Sequence, residues 1–82
     1  MYLHIGNDFT LRKKDIIGIF DFDAASSGKL TKGFLKAAEE NGNLINAWED
    51  FPKSFVLVND RGELKVFVSD ISSASLLGRI NK

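Results

Sequence analysis

The chain has 82 residues, no cysteine, and eleven basic residues balanced by eleven acidic ones. This length fits one small domain over residues 1–82, close to the lower limit for folding without disulfides, metals or partner subunits. Because cysteine is absent, disulfides and thiolate metal sites are excluded, and we expect self-association to supply part of the stability. The zero net charge excludes a general attraction to nucleic acid or anionic membrane, so such a partner needs a local basic patch.

The first residues lack the charged start and long apolar run of a signal peptide. No stretch reaches the roughly 18–20 consecutive apolar residues of a membrane span. These patterns predict a cytoplasmic protein with no membrane partner.

The first half of the chain predicts a hairpin, a third strand and the main helix. Residues 2–5 and 9–11 are β-prone runs on either side of turn residues. Residues 15–23 predict a strand with apolar residues on both faces, which is typical of the centre of a sheet. Residues 29–41 have apolar side chains at helical spacing, with Ser26 or Ser27 as N-cap and Gly42 after the end. The stripe expected to face the core consists of Leu30, Phe34, Leu35, Ala37 and Ala38.

The second half predicts three strands and a short helix. Residues 44–45 open a strand, and residues 54–59 and 64–68 form a hairpin around the turn 59–62. The serines at 72–75 can cap and begin a helix that continues to Ile80. The order β-β-β-α-β-β-β-α predicts an α+β domain, with a small, mostly antiparallel sheet packed with one main helix and a short C-terminal helix.

Three local patterns suggest enzyme chemistry, and each lacks a required residue. The Asp-x-Asp at 21–23 resembles the strand end of haloacid-dehalogenase-type phosphotransferases, but Ala25 stands where that chemistry needs Thr or Val. The Gly-Lys pair at 28–29 is followed by Leu30 instead of the Ser or Thr of a phosphate loop. His4 is the single histidine and has no cysteine partner. We therefore predict no enzyme activity, no catalytic residue, no cofactor and no metal site.

Charge is segregated along the chain. Residues 1–36 contain six basic and four acidic side chains, whereas residues 37–82 contain five and seven. Two basic groups stand out: the run Arg12, Lys13 and Lys14 at a turn, and the helical set Lys29, Lys32 and Lys36. Either group could hold phosphate, and a symmetric oligomer would repeat it as a longer positive track. An ordinary solvated surface is the alternative.

Two large aromatic residues, Trp48 and Phe51, stand just before a predicted strand, beside the single proline, Pro52. One interpretation is that they cover the core beside a sheet edge. The other is that they anchor a contact between subunits. We assign both residues to the candidate oligomer interface.

Several short motifs, taken in order, resemble the small bacterial RemA/RemB family, most closely its RemB-like branch. The motifs are MYLHIG at 1–6, KDIIGIFD at 14–21, FLK at 34–36, PKSFV at 52–56 and SSASLLGR at 72–79. The resemblance spans nearly the whole chain. It implies a cytoplasmic homo-oligomer that activates extracellular-matrix genes of biofilms, the RemA branch doing so by binding DNA as a ring.

The resemblance carries over only in part to the basic positions. RemA-type sequences have an arginine just before the Ile-Ile strand and several arginines before the later apolar strand. This chain has Asp15 at the first position and Phe-Pro-Lys at 51–53. The residues predicted to contact DNA phosphate, with little base readout, are Arg12, Lys13, Lys14 and Lys53. The alternatives are an oligomeric structural or interaction module without DNA binding, and a sensor of a small ligand at a subunit junction.

Overall fold

The computed structural model describes residues 1–26 and 28–80, which form six strands and three α-helices. Their bounds are β1 (Tyr2–Gly6), β2 (Phe9–Arg12), a 3₁₀ turn (Lys13–Asp15), β3 (Ile16–Asp21), α1 (Phe22–Ser26), α2 (Lys29–Glu40), β4 (Leu44–Ala47), β5 (Ser54–Asp60), β6 (Glu63–Ser69) and α3 (Ser73–Ile80). The predicted hairpins, main helix and C-terminal helix are all present.

The strands form two sheets, and all pairings but one are antiparallel. Strands β1 and β2 make a separate hairpin, while the other four follow the order β3-β5-β6-β4. Strand β4 pairs with β6 in parallel. The predicted α+β architecture with a mostly antiparallel sheet is confirmed.

Both hairpin turns use residues that tolerate positive φ. Asn7 and Asp8 have φ of 46° and 65° in the β1–β2 turn, and Arg61 and Gly62 have φ of 56° and 90° in the β5–β6 turn. The Asn59 side-chain oxygen accepts a hydrogen bond from the Gly62 N–H at 2.9 Å. Two successive residues with positive φ give a turn whose twist matches that of the flanking strands.

Side chains on the two faces of the four-stranded sheet belong to two cores. Val56 and Val58 face a core shared with the β1–β2 hairpin and α3, where Leu76 is fully buried. The alternate residues Phe55 and Leu57 face the second core, which α2 covers. The molecule therefore has three layers, with the hairpin and α3 on one side of the sheet and α2 on the other.

Strand β3 differs from its prediction in position and length. It lies at the edge of the sheet, beside β5, and ends at Asp21, where α1 begins. Strands β5 and β6 are the interior strands, and Phe55, Val56 and Val58 of β5 are all buried. Ile17 and Phe20 of β3 remain exposed. A strand with two apolar faces is typical of the centre of a sheet, but here one apolar surface is left open at the edge.

Helix α2 is buried through a different row of side chains from the predicted one. Ala38 is buried and Leu35 packs against the core, whereas Leu30 is 92 % exposed and Phe34 and Ala37 are also exposed. Residues 30, 34 and 37 form one row along the helix, and residues 31, 35 and 38 form the next, rotated by about 100°. The helix packs through the second row, so part of the predicted core stripe faces outward.

The start of α2 also differs. Gly28 is its N-cap and no side chain caps the helix. Ser26 instead ends α1, so its prediction as the cap is wrong, and Ser27 lies outside the described residues. Gly42 follows the helix with φ of 74°, as predicted.

Buried serine hydroxyls join the layers on the α3 side. The Ser69 hydroxyl donates to the Ile5 carbonyl at 2.6 Å and accepts from the Ile71 N–H at 3.0 Å. The Ser54 hydroxyl donates to the Ile71 carbonyl at 2.7 Å. Ser72 then accepts from the Ser75 N–H at 3.2 Å, which confirms the predicted cap of α3. These bonds fix the chain that leads from β6 into α3 against the hairpin.

Candidate nucleic-acid interface

The run of basic residues 12–14 lies where the β1–β2 hairpin meets β3. Arg12 ends β2, and Lys13 and Lys14 begin the 3₁₀ turn. The Lys13 N–H donates to the Met1 carbonyl at 3.0 Å, which closes the open end of the hairpin. Arg12 and Lys14 are exposed and Lys13 is half-buried, so the turn presents the predicted run to solvent as one group.

Helix α3 brings a further arginine, Arg79, to this run. The Lys13 ammonium donates to the Arg79 carbonyl at 3.3 Å, at the negative end of the helix dipole. The Arg79 guanidinium donates through Nη1 to the His4 carbonyl at 3.1 Å. Arg79 is not among the predicted DNA contacts, although its place in the last turn of a predicted helix offered a signal. We call Arg12, Lys13, Lys14 and Arg79 the basic cluster.

Asp15 lies within reach of this cluster and pairs with Arg12. The Arg12 Nε and Asp15 Oδ2 atoms are 3.1 Å apart, and both side chains are partly exposed. Such an exposed pair adds little stability. Its effect is electrostatic, because one carboxylate offsets one of the four positive charges of the basic cluster.

Lys53, the fourth predicted DNA contact, lies apart from the other three. Its N–H donates to the Ser69 carbonyl at 2.8 Å and its carbonyl accepts from the Phe22 N–H at 3.0 Å, so it stands at the end of β3 that leads into α1. The basic cluster adjoins the other end, at Ile16. A six-residue strand is about 17 Å long. A single chain therefore brings together Arg12, Lys13 and Lys14, but not Lys53.

The second basic group occupies a different layer. Lys29, Lys32 and Lys36 are exposed on α2, as expected for a solvated face. Helix α2 covers the opposite side of the sheet from α3, so these lysines do not extend the basic cluster.

The two aromatics of the candidate oligomer interface have different surroundings. Trp48 packs against the core under α2, and its Nε1–H donates to the Asn46 side-chain oxygen at 3.0 Å. Phe51 is 70 % exposed. In the single chain, Trp48 therefore covers the core, and Phe51 is open to solvent.

A second charged pair lies at the β5–β6 hairpin. The Lys65 ammonium is 2.8 Å from Asp60 Oδ2. This hydrogen bond lowers the pKa of Asp60 and raises the pKa of Lys65. Together with Arg12 and Asp15, the pair lines a groove between β2 and this hairpin.

Within residues 1–26 and 28–80, no group of three or more His, Asp or Glu side chains is arranged to hold a metal ion. In the same ranges, no helix has the length and apolar character needed to cross a membrane.

Comparison with known proteins assigns the family. A family model described as RemA-like, extracellular matrix regulatory protein A-like, matches residues 2–80. Extracellular matrix regulatory protein B of Bacillus subtilis (strain 168) is 34 % identical over 79 residues, covering 96 % of this chain and 89 % of that protein. Both matches extend over nearly the whole of the fold described above. The chain belongs to the RemA-like family of extracellular matrix regulatory proteins.

Proposed function

We propose that this protein is a homo-oligomeric, DNA-binding transcriptional regulator of extracellular-matrix genes, in which contacts to DNA phosphate dominate. The observation that carries the proposal is the basic cluster, which the fold assembles from the end of β2, the 3₁₀ turn and the end of α3. Membership of a regulatory family supports a role in gene control and not in catalysis.

The chemistry of the cluster suits phosphate. Arg12 and Arg79 offer planar guanidinium groups, and Lys13 and Lys14 offer compact ammonium charges. One protomer makes only a few such contacts, and each neutralised phosphate contributes a log–log salt slope of about −0.9. We therefore expect measurable affinity to require several copies on one duplex.

The test is an electrophoretic mobility shift titration at about 50 and 200 mM salt, two conditions between which phosphate contacts weaken strongly. The test variant is Lys13→Ala/Lys14→Ala. The control is Lys36→Ala, which removes an exposed charge from α2, on the opposite side of the sheet from α3 and the cluster. Light scattering on each variant checks that the assembly is unchanged.

We expect the test variant to bind more weakly at low salt and to show a salt slope smaller by about 0.9 for each phosphate that it no longer neutralises. The control should match the wild type. Equal DNA binding by the wild type and the test variant would show that Lys13 and Lys14 of the basic cluster do not contact DNA.

A second candidate function is an oligomeric interaction module without DNA binding. Two observations favour it: Asp15 offsets one charge of the cluster, and Lys53 stands at the far end of β3. An intact wild-type oligomer that shifts no DNA at low salt would support this module and contradict the proposed function.

A further inference from the structure

The face of the β1–β2 hairpin that points away from the core is polar and exposed. Leu3, Ile5 and Leu11 of the hairpin point inward and are buried. Because side chains alternate along a strand, the residues next to these three point outward. The outward-pointing residues are all exposed, and they are Tyr2, His4, Thr10 and Arg12. We call these four residues the ribbon face.

Strand pairing arranges the ribbon face as two cross-strand pairs. Tyr2 lies opposite Arg12, and His4 lies opposite Thr10. All four side chains carry hydrogen-bonding groups, and none of them is a carboxylate. Within the described residues, the hairpin forms a sheet of two strands. The surface is therefore a narrow ribbon with hydrogen-bonding groups along its length.

The dimensions of this ribbon match the major groove of DNA. Neighbouring strands lie about 4.8 Å apart, and the five residues of β1 span about 17 Å. The major groove of B-DNA is about 12 Å wide and about 8.5 Å deep, and it admits a two-stranded β-ribbon. The minor groove, about 6 Å wide, is too narrow for two strands with their side chains. A duplex can therefore receive the ribbon face through its major groove.

The basic cluster lies at the open end of the ribbon. Tyr2 and Arg12, the pair at this end, line an open depression of about 610 Å³ together with Lys13 and Lys14. Arg79 is attached to the same hairpin through its hydrogen bond to a carbonyl of β1. In protein–DNA complexes, contacts to phosphate fix the position of the protein, and contacts to base edges give the sequence preference. The fold thus joins a phosphate-binding group to a face that can reach base edges.

Asp15 makes Arg12 better suited to a base than to a phosphate. The Arg12 Nε–H donates to Asp15 Oδ2 at 3.1 Å. A phosphate beside Arg12 would be repelled by this carboxylate, whereas a base edge carries no net charge. The hydrogen bond engages Nε, and the two Nη nitrogens form the planar end that matches the O6 and N7 acceptors of guanine. Asp15 is therefore a positioning residue for Arg12.

We propose that the ribbon face enters the major groove of DNA and reads base pairs there, with Arg12 donating to guanine. Lys13, Lys14 and Arg79 then contact the phosphates beside the groove. The inference rests on the proposed function and adds base readout to it, because it assigns Arg12 to a base edge instead of a phosphate. Phosphate contacts still supply most of the affinity, and the ribbon face supplies the sequence preference.

The test begins with the selection of duplexes from a random-sequence library by the wild-type protein. Mobility shift titrations then measure binding of the wild type and Arg12→Ala to the selected duplex and to altered duplexes. In these, each guanine is replaced in turn by adenine, with the pairing base changed to match, or by 7-deazaguanine, which pairs normally but lacks the N7 acceptor of the major groove. His4→Ala/Thr10→Ala tests the second pair of the ribbon face.

The control variant is Lys36→Ala, at an exposed position of α2 on the opposite side of the sheet. Circular dichroism and light scattering check the fold and the assembly of every variant.

We expect the wild type to select duplexes with a guanine at a fixed position. Either replacement of that guanine should weaken wild-type binding about 5- to 150-fold. Arg12→Ala should bind the selected and altered duplexes with nearly equal affinity, because the discriminating contact is absent. His4→Ala/Thr10→Ala should lose the preference at a neighbouring base pair, and Lys36→Ala should match the wild type. Lys13→Ala/Lys14→Ala should instead weaken binding to every duplex by a similar factor.

The contrary outcomes separate this inference from the proposed function. A wild type that binds DNA but selects no sequence would overturn base readout and leave the proposed function standing. Loss of the same factor on every duplex by Arg12→Ala would return Arg12 to the phosphate contacts. Undiminished binding to the 7-deazaguanine duplexes, or an unchanged sequence preference in His4→Ala/Thr10→Ala, would contradict entry of the ribbon into the major groove. A wild type that shifts no DNA at low salt would overturn both proposals.

Discussion

Replacing Leu76 by alanine should destabilise the fold strongly, whereas the same change at Leu77 should not. Both leucines lie in α3, but Leu76 is 0 % exposed and Leu77 is 44 % exposed. Leu76 belongs to the core between the hairpin and the sheet. The two sites are neighbours in one helix, so the Leu→Ala change in helix propensity is nearly the same at both. This contribution therefore cancels when the two variants are compared.

The expected magnitude follows from this burial. A fully buried Leu→Ala change costs about 3–5 kcal/mol, because the lost transfer free energy and the cavity add. At Leu77 the loss should be about 1 kcal/mol or less. At about 0.05–0.15 kcal/mol per residue, the unfolding free energy of 82 residues is about 4–12 kcal/mol. The Leu76→Ala variant therefore loses a large part of its unfolding free energy, and its melting temperature should fall by about 12 °C or more.

Guanidinium unfolding followed by circular dichroism measures both variants at one protein concentration, since self-association makes apparent stability depend on concentration. Fluorescence of Trp48, which packs in the other core, serves as a second probe. Equal losses at Leu76 and Leu77 would show that α3 does not pack through Leu76. Arg79 would then not be held next to Lys13 in the basic cluster, because Arg79 lies on α3.

Three further changes have defined outcomes. Gly6→Ala should lower the unfolding free energy by about 2–4 kcal/mol in a denaturant titration, because Gly6 has φ of 109° and an added Cβ would lie 2.9 Å from the Ala47 carbonyl oxygen. Ser69→Ala should cost about 1–3 kcal/mol by the same measurement, since the buried Ile5 carbonyl and the partly buried Ile71 N–H lose their shared partner. Lys65→Met should raise the pKa of Asp60 toward its ordinary value of 3.8, as followed by NMR of the carboxyl carbon. Because the folded-state pKa of Asp60 is lowered, its contribution to stability is present above 3.8 and lost as pH falls through the folded-state value, and the variant should lack this acid-dependent loss.

The sequence predicts those elements that depend on local signals. Asn7-Asp8 and Arg61-Gly62 each supply two residues that accept positive φ, and both hairpins form there. The serines before α3 supply its cap, and Gly42 ends α2. In each case the interactions that determine the local structure join residues a few positions apart, so the local sequence is enough to predict it.

The errors concern choices that only the tertiary structure makes. Leu30 and Leu35 belong to one apolar stripe, and the position of α2 on the sheet decides that Leu35 is covered and Leu30 exposed. Strand β3 is apolar on both faces, but the buried residues of β5 take the interior position. Arg79 reaches Lys13 only because α3 folds back across 66 residues of chain. The periodicity of the sequence shows which residues are apolar, but it does not show which element of the fold packs against them.

Strand β3, at the edge of the sheet, connects the basic cluster to the apolar pocket that it forms with α2. Its first residue adjoins the turn that carries Lys13 and Lys14, and its far end supplies Phe20 to the apolar pocket. The basic cluster and this pocket are thus separated by about the length of one strand, about 17 Å.

The balance of charge is compatible with the proposed homo-oligomer. Self-repulsion does not accumulate as copies are added, because each copy carries eleven positive and eleven negative side chains. Assembly would repeat the basic cluster from copy to copy, so a chain with no net charge would present a positive surface to DNA.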